Sequence, residues 1–149
     1  MQIVTKFQSF EAFRLWDASR GTARLLNVVR EYEPLTIPEV LAALPDELKA
    51  TGTWRLIIAE RPQIVVWDSL LEVTAAMLTQ LLSTQQLSLQ ICRPQLYDIS
   101  GVKLALPAVE SVLHAARNEC WLPCTVGAGP TQGLNSDWKI AFRSRVPAN

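Results

Sequence analysis

The chain has 149 residues, 49% of them hydrophobic and 19% charged, enough apolar material for one buried core and too little net charge for a disordered tail. Its 14 basic and 14 acidic side chains cancel, which excludes attraction of the whole surface to polyphosphate or anionic lipid. Length predicts a single domain over residues 1–149.

Taken in chain order, Ile3, Thr5 and Phe7 alternate as an opening strand. Ser9 then caps a helix through Phe10, Phe13 and Trp16, which Gly21 interrupts before a second stretch from Leu25 to Tyr32. That region carries Arg14, Arg20, Arg24 and Arg30. Arg20 and Arg24 lie one turn apart and form a candidate basic stripe, diluted by Asp17, Glu31 and Glu33.

The middle of the chain reads as a pseudo-repeat, about residues 36–67 and 69–99. Thr36 set against Ser69 brings Glu39 onto Glu72, Val40 onto Val73, Leu48 onto Leu81 and Leu56 onto Leu89. One residue of gap later, Arg61-Pro62-Gln63 falls on Arg93-Pro94-Gln95. Each copy opens with a capping box, Thr36-Ile-Pro-Glu39 and Ser69-Leu-Leu-Glu72. Pro45 splits the first helix, whereas the second runs uninterrupted from Leu70 to Thr84 with a wide apolar face. Strands follow at Trp54–Ile58 and Leu87–Cys92, with Arg-Pro-Gln as each turn and return strands at 64–67 and 96–99. Pro107 then opens a last helix bearing Val109, Val112, Leu113 and Ala116. A strand around Trp121 to Val126, a loop from Gly127 to Asp137 and a final strand through Trp138, Ile140 and Phe142 complete the chain. The fold expectation is α+β, with helices packed on antiparallel hairpins in a duplicated helix–hairpin unit.

No motif assembles a catalytic or metal centre. Cys120-Trp-Leu-Pro-Cys124 has one residue too many for a redox pair, and one His with a lone Cys92 cannot complete a zinc tetrahedron. His114 stands four residues after Glu110, but no oxyanion signature accompanies it. Gly127-Ala-Gly-Pro-Thr-Gln-Gly133 lacks the Lys-Ser/Thr pair and the following helix of a phosphate loop. Neither a cofactor nor a metal is expected. An odd number of Cys and a start without a secretory pattern predict reduced thiols in the cytoplasm, and the longest uncharged run is too rich in Gln, Ser and Thr to span a bilayer.

What remains points to binding. Arg outnumbers Lys ten to four, which favours directed contacts. The candidate residues are Arg61 and Arg93 at the two turns, Arg55 in the strand leading to the first, and Arg20 and Arg24 on the early helix. The order helix, strand, turn, strand resembles the second half of a winged helix, implying a nucleic-acid binder with the arginines at its wing tips. The apolar helix, carrying no Lys or Arg between Leu70 and Thr84, favours the other expectation, a non-catalytic regulatory protein that binds another protein.

Overall fold

The computed structural model describes residues 11, 13–113 and 117–146. The opening strand, His114 and Ala116 lie outside them.

Residues 13–18 are helical and turn through Arg20, in the left-handed region at φ 68°, into helix α1, Gly21–Tyr32. Gly21 is required there because the Trp16 indole lies where a Cβ would stand. Gly21, Leu25 and Val29 recur at helical spacing and bury the face of α1 that meets strand β6, Cys124–Ala128. Strand β1, Leu35–Thr36, pairs antiparallel with β6. The first capping box forms as read: the Thr36 N–H donates to Glu39 Oε1 at 2.8 Å and starts helix α2, Ile37–Ala42. Pro45 ends this helical stretch and caps the short α3, Asp46–Lys49.

Strands β2, Thr51–Ile58, and β3, Arg61–Leu70, form a long antiparallel hairpin. Its register contains a bulge. Leu56 opposes Trp67 while Ile57 opposes Val65, which leaves Val66 as an extra residue on β3. Val66 and Trp67 therefore both enter the core, and Asp68 is turned onto the opposite face. Helix α4, Glu72–Ser83, follows and packs against β2, against strand β4, Leu87–Ile91, and against β7, Ile140–Ser144. Two sheets result: β1-β6-β4, and β5-β3-β2-β7 with β5, Cys120–Trp121, parallel to β3. The mixed α and β character stands.

The second hairpin does not form. β4 occupies its expected position, but its partner is β6, with Leu89 opposite Val126, and residues Pro94–Asp98 form a 3-10 helix instead of a return strand. Pro94 takes the first helical position, where its missing N–H is no loss. The turn also delivers Tyr97 to the core, where it stacks on Trp67 at 5.4 Å and meets the edge of Trp121 at 5.0 Å. The Tyr97 hydroxyl donates to the Cys124 carbonyl at 2.6 Å and accepts the Ile37 N–H at 3.3 Å. Residues 36–67 and 69–99 share helix-then-strand order and then diverge, so the winged-helix order is not completed in the second stretch.

Three further expectations change. The second capping box is lost because β3 runs on to Leu70, with Ser69 at φ 62°; the helix begins at Glu72 with Leu71 as its cap. The turn of the first hairpin is Ala59–Glu60, and Arg61-Pro62-Gln63 are already strand. Pro62 is tolerated because β3 extends there past the short β5, which begins its pairing at Ile64. No helix starts at Pro107. Its carbonyl accepts the Trp121 N–H, the Val109 N–H donates back to Trp121, and the segment lies parallel beside β5.

Candidate functional site

The catalytic candidates do not assemble. Cys120 and Cys124 are buried, and burial pushes the thiols of Cys92, Cys120 and above all Cys124 upward, so they stay protonated at neutral pH. Among the described residues no cluster of His, Cys, Asp and Glu could hold a metal ion, and no helix is long and apolar enough to cross a membrane. The Gly127–Gly133 segment is strand up to Ala128, and Leu134–Asp137 forms the short helix α5.

The five candidate arginines are dispersed. Arg61 sits just past the hairpin turn, whereas Arg93 is exposed between β4 and the 3-10 helix, on no hairpin. Arg20 and Arg24 are exposed at the start of α1. Arg55 is the exception. It is only 3% exposed and locked into an ion network on the face of the four-stranded sheet turned away from Leu56 and Ile58. Its Nη2 donates to Asp68 Oδ2 at 2.9 Å and its Nη1 to Glu119 Oε2. Arg145 reaches Asp68 at 3.3 Å, and Arg143 lies 3.8 Å from Glu119.

Burial by itself would raise the Asp68 carboxyl. The hydrogen bonds from Arg55 and the Ser69 N–H, with the charges of Arg55 and Arg145, outweigh it and hold the carboxyl below its ordinary value. Burial likewise opposes the Arg55 charge, and its two carboxylate partners reverse that effect. Arg55 is thus a structural cation. Only Arg55 of this network was legible as a candidate; the Arg143-Ser-Arg145 alternation was the available signal for the rest.

A second feature lies at the outer edge of β4. Asn135, in α5, closes most of that edge: its Oδ1 accepts the Leu89 N–H at 2.9 Å, and its Nδ2 donates to the carbonyls of Leu87 at 3.0 Å and Leu82 at 2.8 Å. Gly133 permits this approach, since a Cβ would collide with the Leu89 carbonyl oxygen. Asn135 stands in for a neighbouring strand as far as Leu89. The pleat then turns the N–H and C=O of Ile91 outward as well, while the Cys92 N–H turns inward to Pro123 O at 2.9 Å. Ile91 is 42% exposed and Leu113 71% exposed. With Val112, Leu134 and Trp138 they line an open groove of about 370 Å³, to which Gln90, Ser111 and Asp137 add polar side chains. Sequence reading missed it because the pattern places Val112 and Leu113 on one face of a helix opening at Pro107.

Compared with known protein families, curated proteins and solved structures, the chain matches none.

Proposed function

We propose that the chain is a non-catalytic interaction protein that binds a partner protein, with the groove at the end of β4 as its docking surface. The carrying observation is the conjunction there of exposed Ile91 and Leu113, a groove of mixed apolar and polar lining, and a strand edge at Ile91 for which Asn135 supplies no partner among the described residues. An extended segment of the partner lays an apolar side chain between Leu113 and Trp138, bonds to the Ile91 backbone, and sets a basic residue against Asp137. Apolar burial with a few directed hydrogen bonds is what protein interfaces use. Three free thiols fit a reducing compartment such as the cytoplasm.

Site-specific photo-cross-linking in cells tests this. A photoreactive residue replacing Leu113 should trap one discrete protein, and Ile91→Asp should abolish the adduct. The same probe at Glu47, exposed on α3, should trap nothing specific. Equal adducts from both positions, or adducts to nucleic acid, would contradict the proposal.

A further inference from the structure

The geometry points to a second docking surface, the outer edge of β7, whose partner is an extended segment alternating acidic and apolar residues. Among the described residues this edge has no neighbour on one side. The Arg145 N–H donates to Thr53 and the Ala59 N–H to the Lys139 carbonyl, so the odd-numbered residues of this strand bond to β2. By the same alternation Ile140, Phe142 and Ser144 turn their backbone N–H and C=O groups away from the sheet, where no further strand stands among the described residues. The other edges are short or occupied. Asn135 covers β4 as far as Leu89, the segment around Ala108 lies beside β5, and β1 is two residues long.

Charge selects the occupant. Lys139, Arg143 and Arg145 all fall on the odd face, and no acidic residue lies between them. Arg143 and Arg145 are each 46% exposed at the side chain, and the ion-pair contacts they make, at 3.8 and 3.3 Å, reach inward across the sheet to Glu119 and Asp68. An added strand places its side chains about 5 Å from these cations, the distance at which opposite charges favour pairing and like charges oppose it. A second copy of β7 would set Arg143 and Arg145 against the same cations or their near neighbours in parallel register, and Arg145 against Lys139 in the antiparallel register centred on Phe142. Self-pairing is disfavoured. On the even face Phe142 packs on Trp54 at 5.6 Å and offers an apolar neighbour to the alternate positions of the incoming strand. Two anionic side chains spaced two residues apart, with apolar residues between, complement this edge.

The surface shares no residue with the groove, and a synthetic probe separates the two. The peptide acetyl-(Glu-Val)₄-amide is titrated into the ¹⁵N-labelled full chain, with acetyl-(Lys-Val)₄-amide as control. The expected result is saturable binding of the Glu peptide alone. The amides of Phe142 and Ser144 shift and become protected, and affinity falls about three- to tenfold in each of Lys139→Glu and Arg143→Glu. Ile91→Asp, which abolishes the groove contact, leaves this binding unchanged. Lys139 is exposed and its side chain is in no described ion pair, so its variant tests the edge without disturbing the Arg55 network. No saturable binding, equal binding of both peptides, or shifts confined to Ile91 would overturn the inference. The cations would then serve only to keep the edge from pairing.

Discussion

Arg55 shows how one residue can be chosen correctly for its chemistry and wrongly for its role. A guanidinium in a strand suggested contact with a partner, yet the bulge at Val66 brings Asp68 round to it and the charge is consumed internally. Removing one member of so buried a pair strands the other. Asp68→Asn should cost about 2 kcal/mol in urea unfolding, below the full cost of breaking a buried pair because Glu119 remains on Arg55. The pH dependence has a definite sign. The folded-state carboxyl is depressed, so its contribution is complete above the ordinary carboxylate value and is lost as pH falls through the folded one. The difference between the parent and Asp68→Asn should therefore be constant near neutrality and shrink below about pH 4. A gap that widens in acid would contradict the network. The thiols give an independent check at the same scale. With Cys124 fully buried and all three raised by burial, a disulfide reagent at neutral pH should label the native chain slowly and the unfolded chain at three positions.

At the scale of elements, legibility followed locality. The Thr36 box, the break at Pro45, α4 to within two residues at either end and β4 to within one residue were all readable, because caps, prolines and periodicity act within a few residues. The partner of β4 was not readable. β6 lies over thirty residues further on, and nothing local separates a strand that returns at once from one that waits for a distant neighbour. Tyr97 decides the matter: a residue that stacks on Trp67 and bonds across to Cys124 and Ile37 has more to gain from the 3-10 turn than from a return strand. Asn135 was equally hidden, since its role depends on an edge that sequence does not display. Asn135→Ala leaves the Leu89 N–H and the Leu87 carbonyl without this partner, while the Leu82 carbonyl keeps the Gln85 N–H, and should destabilise the chain by about 1–3 kcal/mol in urea unfolding. Because it also frees the β4 edge, it should raise the tendency to aggregate, read by light scattering.

At the scale of the whole molecule, two sheets share one core and differ in their open edges. The three-stranded sheet ends at a groove of mixed apolar and polar lining that includes Asp137; the four-stranded sheet ends at a basic strand. The groove is the central claim, and amide hydrogen exchange tests it most directly, on the chain alone and with the partner identified by the Leu113 cross-link. Exchange at Ile91 and across residues 134–138 should slow in the complex while Arg61 and Arg93 stay unchanged. Protection at Arg61 and Arg93 with Ile91 unaffected would contradict the account.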